Sequence, residues 1–130
     1  MDIYMFEQED GTLLECEAVR LCRISTERPD GLGSRRWHHL QLLKTIEGQY
    51  VAAVQYISFC PGEQPKGYAW RGEPDFLLRK VKSFEPAKDV KKLGGSDKGF
   101  LIDDIKQDIN QRFQAAVRQL TDRLEQESQA

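Results

Sequence analysis

From Phe100 to Ala130 the chain contains neither proline nor glycine, and its apolar residues recur at helical spacing. Placed at 100° steps, Ile102, Ile105, Ile109, Phe113, Ala116, Val117, Leu120 and Leu124 fall within an arc of about 120°. Asp104, Asp108, Gln111, Gln114, Arg118 and Asp122 lie outside it. The pattern predicts a helix from about Phe100 to Glu127. Asp103 and Asp104 would stand in its first turn, where negative charge complements the helix dipole. The apolar stripe is wider than a coiled-coil seam, so the helix needs a core to cover. At 1.5 Å per residue it would be about 40 Å long. A domain of 130 residues is about 36 Å across. The helix therefore crosses the whole domain or overhangs it near Leu124.

The rest of the chain supplies a sheet for that stripe. Ile3–Glu7 reads as a short strand, and the Asp10-Gly11 pair that follows is a hairpin signal. A second strand is expected from Thr12 to Ser25, with a bulge near Ala18-Val19 where the apolar parity slips. Glu27–Arg35 is turn chemistry throughout. Strands at Arg36–Ile46 and Gln49–Phe59 flank the two-residue turn Glu47-Gly48. Leu40, Leu42 and Ile46 share one face of the first, and Tyr50, Ala52, Val54 and Tyr56 one face of the second. Cys60–Asp75 holds Pro61, Pro65, Pro74, Gly62, Gly67 and Gly72 and reads as a long irregular loop. Phe76–Phe84 reads as a fifth strand, and 85–99 as a basic connector with one helical turn at Ala87–Leu93. The expected fold is a single α+β domain over 1–130, an antiparallel sheet of about five strands packed against one long C-terminal amphipathic helix. The stretch Leu42–Val51 resembles a hairpin found in small bacterial proteins, and that resemblance implies no activity.

The chain opens Met1-Asp2-Ile3-Tyr4, without the positive and apolar regions of a secretory signal. No stretch approaches the roughly 18 apolar residues of a membrane span. The expectation is a cytoplasmic protein that makes no membrane contact, with Cys16, Cys22 and Cys60 as free thiols. The net charge of −2 conceals an asymmetry: residues 1–19 carry six acids and no base, and residues 20–95 carry fourteen bases and eight acids. Such polarity either steers partners or joins the acidic strands to the basic middle of the chain.

No motif carries a specific chemistry. Cys16 and Cys22 lack zinc-ligand spacing, and adjacent His38 and His39 would point to opposite faces of a strand, so no metal and no cofactor is expected. Gly94 and Gly99 have the spacing of a phosphate-binding loop, but Phe100 and Leu101 stand where its Lys and hydroxyl should be, which leaves only a weak anion site with Lys98. There is no nucleophile elbow, and Cys60 has no evident base. The expected role is a non-catalytic protein–protein interaction or accessory domain, within a larger bacterial assembly or a homo-oligomer. Its anchors would be Tyr68, Trp70 and Arg71, residue types enriched in binding hot spots. The alternative is single-stranded nucleic-acid binding, with Arg36, Trp37 and His39 beside sheet aromatics and the basic middle segment.

Overall fold

The computed structural model describes residues 1–91 and 101–129. Five strands, β1 (Asp2–Glu7), β2 (Leu13–Ser25), β3 (Arg36–Thr45), β4 (Tyr50–Ser58) and β5 (Lys66–Gly72), form one sheet in chain order. Each is antiparallel to its neighbour. A 3₁₀ turn at Gly31–Ser34 joins β2 to β3, and helices α1 (Pro74–Ser83) and α2 (Ile102–Ser128) complete the α+β fold. No helix among the described residues is long and apolar enough to cross a membrane.

The β3–β4 hairpin forms where the alternation placed it, and Gly48 takes the positive φ of 88° that its tight turn demands. Two other segments exchange roles. Lys66–Gly72, expected as loop, is the fifth strand, and Phe76–Phe84, expected as that strand, is mostly helix α1. The proline-rich part of the expected loop ends at Pro65, and Pro74 stands at the start of α1, where its missing N–H costs nothing. Leu77, Val81 and Phe84 then fall on one helical face and are buried. The bulge in β2 lies between Arg20 and Cys22, two residues beyond the parity slip.

The sheet curls until β1 meets β5. At Gly67 a Cβ would lie 2.1 Å from the Glu7 carbonyl oxygen, so only glycine lets the two strands approach. Phe6, Cys16, Ala18, Leu43, Val51, Ala53 and Ala69 fill the inside of the curl. Four of those seven are Cys or Ala, because the facing walls are too close for larger side chains at native packing density. The outer face carries Leu40, Leu42, Tyr50, Ala52, Val54 and Tyr68 against α1 and α2. Central strands β3 and β4 are therefore buried on both faces.

Helix α2 runs antiparallel to β4. Ile105 and Ile109 pack with Tyr56 near its start, and the Tyr50 hydroxyl reaches Glu127 at 3.3 Å near its end. Leu124 is fully buried, so no overhang exists there. The curled sheet offers a surface as long as the helix: the 13 residues of β2 alone extend about 43 Å. Arg112, on the sheet side of α2, donates to the carbonyls of Thr26 (2.8 Å) and Arg36 (3.2 Å), tying the helix to both sides of the β2–β3 connection.

One polar cluster lies inside. The Glu63 carboxylate, on the β4–β5 connection, has no exposed side-chain surface. Arg36 Nη2 donates to it at 2.8 Å and Arg36 Nε at 3.0 Å; the Tyr56 hydroxyl donates at 2.5 Å, Ser58 Oγ at 2.8 Å and the Lys91 backbone N–H at 3.2 Å. Burial pushes this carboxyl up, but the hydrogen bonds from Arg36, Tyr56, Ser58 and Lys91 outweigh it and hold it below the ordinary glutamate range. The carboxylate is satisfied by the set together, so removing one ionic partner leaves the other buried without this counter-charge. Glu63→Ala should lower the unfolding free energy by about 3–5 kcal/mol. The double replacement Arg36→Met/Glu63→Leu should recover much of that loss, and equal denaturation midpoints for single and double variants would contradict this account.

His38 lies fully buried nearby, with its ring centroid 5.2 Å from that of Tyr56 and 5.1 Å from that of Phe113. Burial first, and the Arg112 charge second, hold its pKa down to about 3. The unfolded chain, with an ordinary histidine near 6.5, binds the proton that the folded chain refuses. Stability is therefore complete above about pH 6.5 and falls as pH drops towards 3, by about 2 kcal/mol between pH 6.5 and 5. Urea titrations at those two pH values should show this loss, and His38→Gln should show a distinctly smaller one.

Candidate functional site

The residues singled out in the sequence divide into two groups separated by β4. Arg36, Trp37 and His39 lie on β3, and Tyr68, Trp70 and Arg71 on β5. Arg36 is buried against Glu63. Trp37 is buried edge-on to Phe59, with ring centroids 5.1 Å apart. His39 is half-buried, with Arg23 Nη2 at 2.9 Å from Nδ1 and Trp37 Nε1 at 3.2 Å from Nε2. A neutral imidazole accepts at only one nitrogen, so the shorter contact, from Arg23, is the stronger hydrogen bond. Burial and then the Arg23 charge lower the His39 pKa. His38 and His39 do point to opposite faces, His38 towards Phe113 of α2 and His39 towards Arg23.

Tyr68 and Trp70 do not stand on a displayed loop. They alternate on β5 and pack on Phe84, with centroid distances of 4.8 and 6.0 Å. The Tyr68 hydroxyl donates to Asp89 at 2.6 Å, and Lys88 Nζ lies 4.2 Å from the Tyr68 ring centroid. Burial first, and then the Asp89 hydrogen bond, raise the Tyr68 pKa. Arg71 alone of the three is exposed. Beside them lies an open cleft lined by Gln8, Glu9, Asp10, Tyr68, Ala69 and Trp70, but its acids are occupied: Glu9 faces Lys88 at 3.6 Å and Asp10 accepts from Thr12. Tyr50, Tyr56 and Tyr68, which a base-stacking platform would need, are core residues. The glycine-rich segment with Lys98 lies outside the described residues.

A different surface stands out. Of the eight large apolar side chains left exposed among the described residues, five (Ile3, Met5, Leu13, Val19 and Ile46) lie together. Ile3 and Met5 are opposite Glu17 and Glu15 on β2, and Leu13 is opposite Glu7. Side chains two apart along a strand share a face, and diagonal neighbours across a pair are within reach. Met5 thus neighbours Leu13, and Ile3 neighbours Val19. The Ile46 amide donates to the Glu17 carbonyl, which places Ile46 at the same end. Val19 is paired with Lys44, on the face that Leu42 and Tyr50 turn towards α2. This is the outer face of the sheet, covered by helices over β3–β5 and, among the described residues, bare over β1 and the first half of β2.

The bulge draws the boundary. Beyond it Leu21, Cys22 and Ile24 pack into the core with α2; before it Val19 is exposed. Glu7, Glu15 and Glu17 are all exposed, and Lys44 is the one base paired into this face among the described residues. The result is a checkerboard of apolar and acidic side chains about 10 Å wide, the span of two strands. The sequence reading missed these residues. Their signal was the unbroken apolar run Ile3-Tyr4-Met5-Phe6, which marks both faces of a strand as apolar.

The architecture defines an antiparallel meander curled around a core of small side chains and backed by helices on only part of its outer face. No family model matches this chain, and neither the curated proteins nor the solved structures give a match.

Trp70 and Arg71 now separate. Trp70→Ala removes half-buried packing on Phe84 and should cost about 2–3 kcal/mol, a little below a fully buried tryptophan. Arg71→Ala should leave the melting temperature within a degree or two of the parent. Thermal unfolding of the two variants checks the contrast, and equal melting temperatures would place Trp70 outside the core.

Proposed function

We propose that this chain is a non-catalytic protein-binding domain and that it binds through the outer face of β1 and the first half of β2. The observation that carries the reading is the gathering of Ile3, Met5, Leu13, Val19 and Ile46 on one uncovered sheet face. Single exposed apolar residues are ordinary, whereas contiguous ones rimmed by charge mark binding surfaces. The face continues the layer that α1 and α2 already cover, so a partner would complete a two-layer arrangement and not create a new one. Burying this face would take three to five large side chains out of water, each contributing about 1.5–3 kcal/mol before the costs of association.

The test uses the whole chain as immobilised bait beside an Ile3→Glu/Met5→Glu variant. Both side chains are exposed, so the variant should stay folded, with a modest drop in melting temperature because each new carboxylate stands opposite Glu17 or Glu15. The expected outcome is a protein partner held by the parent and lost by the variant. A partner held equally by both would overturn the reading. So would tight, salt-sensitive binding of labelled single-stranded nucleic acid with no protein partner.

A further inference from the structure

Resting on that reading of the surface, we propose that its occupant is a basic amphipathic helix of a partner protein, laid on β1 and the first half of β2, beyond the C-terminal end of α2. Width is the first argument. The bare strip spans two strands, about 10 Å, and a helix with its side chains is about 10 Å across. One helix therefore fills the strip, which begins at Val19, where the last turn of α2 reaches Tyr50 beside Lys44. The sheet already receives helices on this face, and Leu21, Cys22 and Ile24 show β2 accepting one immediately past the bulge.

Charge is the second argument. Glu7, Glu15 and Glu17 alternate with Met5, Leu13 and Ile3 across the strip. A helix whose apolar stripe covers Ile3, Met5 and Val19 brings its flanking positions over these carboxylates. Lys or Arg there would meet them; Glu or Asp would be repelled. Lys44 does not neutralise the strip, because its ammonium sits 5.6 Å from the Tyr50 ring centroid, at the border with the covered face.

The same charges argue against a second copy of this chain. Two such faces packed on each other bring acid to acid, which is destabilising in facing sheets. Helix α1 does carry Arg79, Lys80 and Lys82, but its apolar residues Leu77 and Val81 are buried in its own core, so it offers no free stripe to a neighbour. A strand added at the β1 edge would meet β5 at Glu7 and Gly67, where the curl brings the two strands together. Acidic rims likewise disfavour anionic lipid surfaces.

The experiment measures fluorescence anisotropy with two labelled peptides of about five helical turns. Both carry the same leucine stripe, flanked in one by lysines and in the other by glutamates. The chain should bind the lysine peptide about tenfold or more tightly than the glutamate peptide, and less tightly as salt rises. Amide shifts on binding should map to Glu15–Val19 and not to Tyr68–Arg71. Glu15→Lys/Glu17→Lys should reverse the preference, and Ile3→Glu/Met5→Glu should abolish binding of both peptides. Equal binding of the two peptides, each lost in Ile3→Glu/Met5→Glu, would overturn the basic partner and keep the surface. Concentration-dependent dimerisation by sedimentation, abolished by Ile3→Glu/Met5→Glu, would make a second copy the occupant and overturn the inference. Binding to zwitterionic vesicles, lost in the same variant, would do so in favour of a lipid surface. Binding unaffected by Ile3→Glu/Met5→Glu would overturn the surface itself.

Discussion

The Glu63 carboxylate is the point on which the two layers of this fold meet. It gathers Arg36 from β3, Tyr56 and Ser58 from β4 and the Lys91 amide from the segment that follows α1. Those groups come from parts of the chain up to 55 residues apart by number, Arg36 to Lys91. Glu63 supplies the counter-charge that the buried Arg36 guanidinium needs, and Glu63 would be an intolerable buried anion without these donors. Apolar burial would accept many placements of the β4–β5 connection and the segment after α1 on the sheet. A carboxylate with five donor contacts accepts one. Arg112 extends the same specification to the helix by bonding the carbonyls of Thr26 and Arg36 from the sheet side of α2.

With the helix so placed, the outer layer cannot cover the whole sheet. Helix α2 is pinned over β3 and the second half of β2, with its ends against Tyr56 and Tyr50, and α1 lies over β4 and β5. Nothing among the described residues is left for β1 and the start of β2. The sheet partly compensates by curling, which hides Phe6, Cys16 and Ala18 inside. It cannot hide the opposite face of the same strands. Ile3, Met5 and Leu13 are exposed because Tyr4, Phe6 and Leu14 point in, and a strand has only two faces. The bulge between Arg20 and Cys22 lets one strand serve both situations, bare before it and helix-covered after it.

What could be read from residues alone follows from this arrangement. Helix α2 was legible because an uninterrupted 3.6-residue period has one interpretation. The β3–β4 hairpin was legible because a turn with glycine separates two apolar runs. Its loop is three residues, Ile46–Gly48, closed by the Thr45 N–H on the Gln49 carbonyl, one longer than the expected Glu47-Gly48 turn. Strand β5 was not, since Gly67 and Gly72 look like loop residues. Gly67 is needed for a tertiary reason, the close passage of Glu7, that no local pattern reports. For Phe76–Phe84 two periods competed. Phe76 and Leu78 suggested alternation, whereas Leu77, Val81 and Phe84 follow helical spacing, and Pro74 tips the choice towards a helix start. Tyr68, Trp70 and Arg36 have the chemistry of binding residues, but that chemistry is used internally, by Phe84, Asp89 and Glu63. The bare face was hidden for a plainer reason. An apolar run in a strand says that both faces are greasy, and only the topology says that one of them has no cover.

The charge asymmetry can now be assigned a place. If the acids of residues 1–19 had served mainly to hold the basic middle of the chain, they would be paired with it. Among the ion pairs of the described residues, Glu9 with Lys88 at 3.6 Å is the one that spans these regions, and Glu9 is largely exposed. An exposed pair of that length contributes little to stability. The buried base of the middle segment, Arg36, is paired with Glu63 instead. Glu7, Glu15 and Glu17 therefore project their charge outward from an apolar surface. Glu15 stands diagonal to Glu7 and two residues from Glu17, each within about a Debye length at physiological salt, so the charges form one continuous line to an approaching cation. A purely apolar face of this kind would be an invitation to edge and face aggregation; the acids discourage self-association while leaving the surface available. On the proposed reading, resistance to self-association and selectivity for an oppositely charged partner have the same physical origin, carboxylates placed between the apolar side chains.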